Sequence, residues 1–224
     1  MTADAAVLSL PDGRGLELGR LSHEHAGTGG VVWPCSRALC RWMGNNVHDL
    51  RGARVLELGA GTGVCGIYAA ALGASRVLLT DDDRPALLSL ARSNVSLNAG
   101  LYAEGADIQV QALVWGDGLD IPSSHNGARP YDIIIGSDVS YTASGCEALC
   151  ETIRRLLTVV SGAAPLCILA HQDRTDFACS DFEAAAADQG LRVAQLAISE
   201  ESDQESDGPD SALVTVRLLK ITLT

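Results

Sequence analysis

The stretch Arg54-Val55-Leu56-Glu57-Leu58-Gly59-Ala60-Gly61-Thr62-Gly63 decides the fold of this chain. Within it, four residues of strand character run directly into three glycines at alternate positions, and residues 64–72 then have the pattern of a helix. A strand that turns on glycines into a helix N-terminus lets the backbone approach a ligand closely at the edge of an open α/β sheet. A second apolar run ends at Thr80 and Asp81, which places a carboxylate at the end of the neighbouring strand. The pattern predicts a site for a nucleotide-type cofactor.

Strand and helix patterns alternate along the rest of the chain. Apolar runs predict further strands at 107–114, 131–138, 165–170, 191–198 and 212–223. Apolar residues at helical spacing predict helices at 35–49, 83–98, 144–161 and 176–190. Asp83 is a candidate N-cap of the second of these helices, and Ser144 with Glu147 has the spacing of a capping box. The last two strands follow each other without a helix, so we expect an antiparallel pair at one edge of the sheet.

These elements predict a single α/β domain. Strands that alternate with helices indicate a three-layer, Rossmann-like fold with a seven-stranded sheet, mostly parallel with an antiparallel C-terminal strand. Residues 5–22 read as strand, turn and strand, which predicts a small N-terminal hairpin within an extension that runs to about residue 30. With 224 residues, the chain is long enough for one domain with a full core and short for two.

The charge of the chain restricts its partners. The formal net charge is −12 and the pI is near 4.7, whereas nucleic acids and anionic membranes are bound by clustered lysine and arginine. We therefore expect neither as a partner, and the acidity suits a basic one. Six acidic residues fall within 199–210, where such a run predicts a solvated loop or a docking surface for a lysine-rich partner.

The cysteines and the apolar runs bear on location. Seven cysteines, an odd number without a CxxC pair or a Cys/His ligand spacing, read as buried thiols in a reducing compartment. His23 and His25 lie two residues apart without a third ligand nearby, so we expect a solvated loop and no metal site. No apolar run has transmembrane length and the N-terminus lacks a signal-peptide pattern. These features predict a soluble protein of the cytoplasm, with the nucleus as a further location, and a monomer is favoured.

Two cofactors compete for the glycine turn. Gly61, Gly63 and Gly66 satisfy GxGxxG, and Asp81 follows Gly61 by 20 residues, so an NAD-dependent oxidoreductase is a fair competitor. However, the glycine turn begins earlier, at Gly59, and the carboxylate of Glu57 lies at the end of the strand. A carboxylate there would repel a pyrophosphate and attract an amine or a sulfonium. The cofactor that fits is S-adenosylmethionine, which has a cationic sulfur and no phosphate.

The sequence at this point resembles a known family. Residues 55–63 look like the first motif of the seven-β-strand, class I methyltransferases. The resemblance extends to the protein-lysine methyltransferase-like branch called methyltransferase family 16, and it covers roughly residues 27–175. The matching segments are Val32-Trp33-Pro34, Gly73-Ala74 with 79–81, Asn94-Val95-Ser96-Leu97-Asn98, Val114-Trp115-Gly116 and 131–141. The glycine motif alone is moderately specific, and the combination is strong.

This resemblance implies roles for the cofactor residues. The turn formed by Gly59, Ala60, Gly61, Thr62 and Gly63 would line the amino-acid and ribose portions of the cofactor. Glu57 would lie near its amine, and Asp81 would accept hydrogen bonds from the ribose hydroxyls. Trp115 would stack on adenine or pack beside it, with a core position as the lesser alternative. Trp33 and Ser137 would lie near the cofactor, and for Trp33 core packing fits equally well.

The resemblance also implies an acceptor site. Asp138 and Tyr141 form an Asp-x-x-Tyr motif after the fourth strand, beside the first strand, where open sheets bind ligands. Asp138 would orient the acceptor amine and the ring of Tyr141 would hold its cation. His171, Gln172 and Arg174 would border the same site or lie in a loop.

The predicted function is S-adenosylmethionine-dependent methylation of a protein at a lysine amine in its neutral form, without a metal. A protein-histidine or small-molecule methyltransferase would share the same cofactor half. An NAD-dependent oxidoreductase and a non-catalytic binding module are more distant alternatives. Ser140, where the family often has an apolar residue, leaves the choice of acceptor open.

Overall fold

The structure, a computed structural model, describes residues 8–116, 131–158, 164–174, 179–202 and 213–224. Its strands are β1 (Leu8–Ser9), β2 (Gly15–Leu16), β3 (Arg54–Leu58), β4 (Arg76–Asp81), β5 (Asp107–Ala112), β6 (Ile133–Ser137), β7 (Leu166–Gln172), β8 (Leu191–Ser202) and β9 (Leu213–Leu223). Its α-helices are α1 (His23–Ala26), α2 (Pro34–Asn45), α3 (Val47–Leu50), α4 (Val64–Ala71), α5 (Pro85–Leu97), α6 (Ala143–Leu157) and α7 (Cys179–Asp188). Two 3-10 turns cover Gly27–Gly30 and Ala99–Leu101.

Seven strands form the main sheet in the order β5-β4-β3-β6-β7-β9-β8. Strands β3 to β7 pair in parallel, and β9 runs antiparallel to both of its neighbours, β7 and β8. Strands β1 and β2 pair as a separate antiparallel hairpin. The predicted seven-stranded sheet, its antiparallel C-terminal strand and the small N-terminal hairpin are confirmed.

Helices cover both faces of this sheet because successive strand residues point to opposite sides. Val55, Ile135 and Ile168 face a core that includes buried residues of α2 and α4. Leu56 and Ile134 face a second core formed with α6 and α7. All seven cysteines are buried free thiols. No helix in the described part of the chain combines the length and the apolar character needed to cross a membrane.

Two predicted helix caps are wrong. The backbone of Arg84 occupies the N-cap position of α5, because Pro85 takes the first helical turn, and Asp83 lies outside the cap. Helix α6 begins one residue before Ser144, and the hydroxyl oxygen of Thr142 accepts the amide hydrogen of Gly145 at 3.3 Å. The predicted capping box at Ser144 and Glu147 is therefore replaced by a threonine cap two residues earlier.

The acidic run also begins differently from the prediction. Residues 199–202 belong to β8 and pair with residues 213–216 of β9, so only 203–210 of the predicted loop lie outside the described residues. Glu201 is buried, and Arg41 of α2 donates to both of its carboxylate oxygens at 2.6 and 3.1 Å. The ion pair with Arg41 thus compensates the buried charge of Glu201 and allows this acidic residue to lie within β8. A second polar segment, from Gly116 to Pro130, is rich in glycine, proline, serine and aspartate, which predicts a loop. Its residues 117–130 lie outside the described part of the chain.

Two asparagines attach the N-terminal extension to α5. The side chain of Asn98 accepts from the amide of Glu17 at 3.0 Å and donates to its carbonyl at 2.7 Å. Asn94 accepts in the same way from Gly19 at 2.8 Å and also donates to the carbonyl of Thr62 at 2.9 Å. The pair thereby links the extension to the glycine turn. His23 and His25, predicted to lie in a loop, instead belong to the short helix α1.

The positive charge of the sequence is carried almost entirely by arginine. Lys220 is the single lysine among the 16 Lys and Arg residues. It lies in β9, between Ile168 of β7 and Ala194 of β8, and is half-buried there.

Candidate functional site

The turn between β3 and α4 is held in a left-handed conformation at three positions. Gly59, Gly61 and Gly63 have φ angles of 65°, 53° and 81°. The amide of Ala60 donates to the carbonyl of Thr80 at 2.9 Å, which ties the turn to the neighbouring strand β4. Residues with a side chain rarely adopt these angles, so the backbone path itself favours glycine.

Close packing at this turn excludes side chains independently of any ligand. A Cβ atom on Gly59 would lie 2.6 Å from Val139, and one on Gly63 would lie 2.6 Å from Leu79. A Cβ atom on Gly61 would lie 2.8 Å from the carbonyl oxygen of Gly29 in the N-terminal extension. The three glycines are therefore explained by the fold, and they are weaker evidence for a ligand than their number suggested.

A cavity of about 320 Å³ opens at the carboxyl ends of β3, β4 and β6. Eight of the ten predicted cofactor residues line it, together with both predicted acceptor-site residues: Trp33, Gly59, Ala60, Gly61, Thr62, Asp81, Trp115, Ser137, Asp138 and Tyr141. Gly63 shapes the turn without lining the cavity. The structure thus brings residues from five separate segments of the chain to one site.

Further lining residues were missed from the sequence. They are Thr28, Gly29, Val31, Ser36, Asp82, Arg84, Leu113, Val114, Val139 and Ala148. The segment 28–31 is a glycine-rich run in the sequence, and contacts of its carbonyls with the indole of Trp33 and the amide of Leu21 accompany its position over Gly61. Val139 stands inside the quoted Asp-x-x-Tyr motif, so its presence in the wall could have been expected.

Glu57 does not reach the cavity. Its side chain is 1% exposed and accepts from the amide of Gly66 at 2.8 Å, while its other oxygen has no hydrogen-bond partner among the described residues. Burial raises the pKa of Glu57 well above its ordinary value, and this favours the neutral form. The residue therefore lies beneath the turn, apart from the other predicted cofactor residues. The argument that its charge selects the cofactor is correspondingly weakened.

Asp81 joins the turn to the cavity. One of its oxygens accepts from the amide of Gly61 at 2.6 Å, and the other accepts from the amide of Asp82 at 2.8 Å. The guanidinium of Arg84 lies 3.7 Å from the carboxylate. A carboxylate oxygen has more than one acceptor direction, so Asp81 retains capacity to accept from ligand hydroxyls.

The two tryptophans and Ser137 form other parts of the wall. The indole N–H of Trp33 donates to the carbonyl of Thr28 at 2.7 Å, which fixes the extension over the cavity. Trp115 packs against the core on the α6 side and also lines the cavity. The hydroxyls of Ser137 and Ser36 are 2.9 Å apart, which links β6 to α2.

Asp138 has the most unusual backbone conformation among the non-glycine residues of the site. It is the one described non-glycine residue with a positive φ, 54°, a conformation that costs energy and is concentrated at functional sites. Its side chain is 7% exposed, and Arg174 donates to its two carboxylate oxygens at 2.6 and 2.5 Å. The guanidinium carbon of Arg174 lies 5.9 Å from the ring centroid of Tyr141, which is 45% exposed.

His171 lies behind this loop. Its Nδ1 is 2.7 Å from the hydroxyl of Ser140, and its Nε2 is 3.4 Å from a carboxylate oxygen of Asp173. Burial lowers the pKa of His171, which favours the neutral imidazole. His171, Asp173 and Cys179 are close enough to hold a metal ion, but Arg217 already donates to Asp173 at 2.9 Å. The imidazole is therefore part of the support of the Asp138 loop.

Comparisons with solved structures agree with the fold. The S-adenosylmethionine-dependent methyltransferase from Agrobacterium tumefaciens superposes with a TM-score of 0.61 over 100% of this chain and 71% of that structure, at 19% sequence identity. At this level of identity the similarity establishes a shared fold.

Sequence comparisons are more specific. The protein N-lysine methyltransferase METTL21A of Danio rerio is 38% identical over 139 residues, which are 61% of this chain and 60% of that protein. The histone-arginine methyltransferase METTL23 of Xenopus laevis is 35% identical over 133 residues, 58% of this chain and 52% of that protein. The chain thus spans about half to two thirds of the length of these curated relatives. The model of the lysine methyltransferase family, methyltransferase family 16, matches residues 14–186. This chain belongs to that family.

Proposed function

We propose that this protein is an S-adenosylmethionine-dependent methyltransferase that methylates a lysine side chain of another protein. The observation that carries the proposal is one cavity lined both by the glycine turn with Asp81 and by Asp138 with Tyr141. These residues come from the carboxyl ends of adjacent parallel strands, where open α/β sheets bind their ligands.

The charges of the cavity support this cofactor. Two carboxylates of the described lining, Asp81 and Asp82, share one cation, Arg84, which lies 3.7 Å from each. The third carboxylate, Asp138, is paired with Arg174. A ligand with a sulfonium and an ammonium is attracted to such a wall, whereas a pyrophosphate is repelled. Asp81 would hold the ribose hydroxyls, and Trp33 and Trp115 offer flat apolar surfaces for an adenine. This lining replaces Glu57 as the electrostatic argument for a cationic cofactor.

The proposed reaction is an in-line displacement. The lone pair of a neutral lysine amine forms a bond to the methyl carbon, while the bond from that carbon to sulfur breaks and its electron pair stays on sulfur. The lysine ammonium releases its proton to water before the attack, and the products are a thioether and a methylated ammonium. Alignment of the reacting atoms contributes up to ~7–11 kcal/mol in such reactions, and Asp138 and Tyr141 would supply it on the acceptor side.

A protein acceptor is supported by the exposure of Tyr141. Its ring stands at the rim and not inside an enclosed chamber, so a side chain that projects from a folded partner can reach it. The family description and the relative METTL21A favour lysine, and the relative METTL23 makes arginine an alternative acceptor. The net charge of −12 supports a basic partner, and seven buried free thiols support a reducing compartment such as the cytoplasm or the nucleus. A monomer is proposed as the active form.

Labelling tests the proposal. The protein is incubated with tritiated S-adenosylmethionine and a heat-treated cell lysate, and the labelled band is hydrolysed to identify the methylated residue. We expect a protein band that contains methyl-lysine, and calorimetry should show binding of S-adenosylmethionine but not of NAD. Cofactor binding without any labelled protein would contradict a protein acceptor. Label on histidine, arginine or a small molecule would assign a different acceptor.

A further inference from the structure

The ion pair between Asp138 and Arg174 determines the charge that an acceptor meets. Both oxygens of Asp138 accept from the same guanidinium, at 2.6 and 2.5 Å, so the carboxylate is matched by one cation in a two-point contact. The carboxylate is largely removed from solvent, where charges interact more strongly than at the surface. An acceptor amine that approaches Asp138 therefore meets a neutral pair and not an isolated negative charge.

Arg174 reaches Asp138 without filling the cavity. Asp138 and Tyr141 line the cavity, whereas Arg174 is not among the described residues that do so. Its guanidinium lies against Asp138 and the ring of Tyr141. A residue that only blocked the acceptor site would have to lie inside the cavity, so the geometry favours a role that persists while substrate is bound.

We propose that Arg174 neutralises Asp138 so that the acceptor amine is not held as an unreactive ammonium. This inference rests on the proposed function and deepens it. An unpaired carboxylate within a few ångströms of a lysine stabilises the protonated amine, which has no lone pair for the attack on the methyl carbon. With Arg174 in place, Asp138 can still accept a hydrogen bond from a neutral amine and orient it. Arg174 acts through Asp138 and is thus a positioning residue.

The other titratable groups around Asp138 do not replace this role. Cys35 of α2 and Cys65 of α4 are buried thiols; burial raises the pKa of Cys35, and the contact with Cys40, followed by burial, raises the pKa of Cys65. His171 of β7 has its pKa lowered by burial. Asp173 is bound by Arg217 of β9 and forms a separate pair. Among the described groups, Arg174 is the cation in direct contact with Asp138, and Tyr141 lies under that cation.

The pH dependence of methyl transfer tests the inference. Initial rates of labelling of the lysate band are measured from pH 6.5 to 9.5 with saturating tritiated S-adenosylmethionine, for the wild-type protein, Arg174→Gln and Arg174→Lys. We expect the wild-type rate to level off within this range, because a desolvated amine loses its proton more easily. In Arg174→Gln the rising limb should move up by about 1 pH unit or more, since an uncompensated carboxylate shifts a neighbouring pKa by this amount. At pH 7.5 this corresponds to a loss of about tenfold, which recovers towards pH 9.5.

Arg217→Gln is the matched control. It removes a neighbouring arginine of equal exposure, 30% against 31% for Arg174, which pairs with Asp173 and does not contact Asp138. We expect the rising limb of Arg217→Gln to stay at the wild-type pH. Arg174→Lys retains a cation, so its rising limb should lie much closer to the wild-type position than that of Arg174→Gln. A rising limb in Arg174→Gln that coincides with wild type, or a wild-type rate still rising at pH 9.5, would overturn this inference and leave the proposed function in place. Absence of any labelling by the wild-type protein would instead remove the proposed function.

Discussion

The turn after β3 and the loop after β6 face the same cavity but are held in place by different interactions. The glycine turn is fixed by backbone hydrogen bonds and by side chains that leave no room for a Cβ atom. The loop after β6 is fixed by side-chain charges and hydrogen bonds, through Asp138 with Arg174 and Ser140 with His171. The first region depends on shape, and the second depends on partners 36 and 31 residues away in the sequence.

This difference has a functional counterpart. A cofactor is the same in every reaction, so a rigid turn built from the backbone suits it. An acceptor must be oriented and kept in the right protonation state, which requires charged side chains. Substitutions should therefore separate the two regions, with cofactor affinity affected by changes in the turn and methyl transfer affected by changes in the loop.

The largest expected effect is that of Asp138→Asn. Asparagine tolerates the left-handed conformation, so the backbone is preserved while the charge is removed. We expect methyl transfer to fall by about 100-fold or more because the acceptor is misaligned, with the affinity for S-adenosylmethionine changed less than about threefold. Asp132→Asn is the control. It breaks the ion pair at the other end of β6, in which Arg54 Nη2 lies 3.0 Å from Asp132 Oδ1. Equal losses of transfer in both variants would show that only strand stability was affected.

A smaller effect is expected of Gly61→Ala, in the turn. The new methyl group would meet the carbonyl of Gly29 at 2.8 Å in addition to the strain of a positive φ. We expect about tenfold weaker binding of S-adenosylmethionine by calorimetry. The free energy of unfolding measured in urea should fall by at least about 1–2 kcal/mol. Gly52→Ala separates the two causes, because Gly52 has a φ of 72° with open space around it. If both variants bind the cofactor normally, the turn does not form the cofactor site.

The smallest effect is a change in the pH dependence of stability with Glu57→Gln. Burial raises the pKa of Glu57 in the folded protein, so folding takes up a proton above the ordinary pKa of a glutamate. The stability contributed by this group is complete at pH below that ordinary value, and it is lost as pH rises towards the raised pKa. Within that window the wild-type free energy of unfolding should fall by about 1.4 kcal/mol per pH unit from this group, and the variant should lack this slope. Urea unfolding at several pH values measures the difference, and parallel curves would contradict a raised pKa.

The sequence was most informative where the structure depends on the local chain. The strand–glycine–helix pattern at 54–72 predicted both the element boundaries and the glycine turn between them, because a turn of this kind is specified by its own residues. The antiparallel pair of β8 and β9 followed from the absence of a helix between two strands. In both cases a local pattern was sufficient.

Features that depend on contacts between residues distant in the sequence were harder to predict. Glu57 was assigned to the cofactor because it stands next to the glycines, but the pleat of β3 turns its side chain under the turn and onto the amide of Gly66. The pairing of Arg174 with Asp138, and of Arg41 with Glu201, requires the order of strands and helices in space. The cap of α6 was placed at Ser144 because of its spacing to Glu147. Thr142 offers the same hydroxyl chemistry two residues earlier, and spacing alone does not choose between them.

The position of Lys220 has a practical consequence for assays of this protein. It lies four residues along β9 from Val216, which pairs with Gln172 at the end of β7, so about 13 Å of strand separates it from the sheet edge that carries the cavity. Its half-buried place between two strands keeps it from its own cavity while the sheet is intact. Lys220 therefore cannot act as the acceptor for its own cavity in the folded protein, and a methyl group found on it would report either transfer between two copies or opened C-terminal strands.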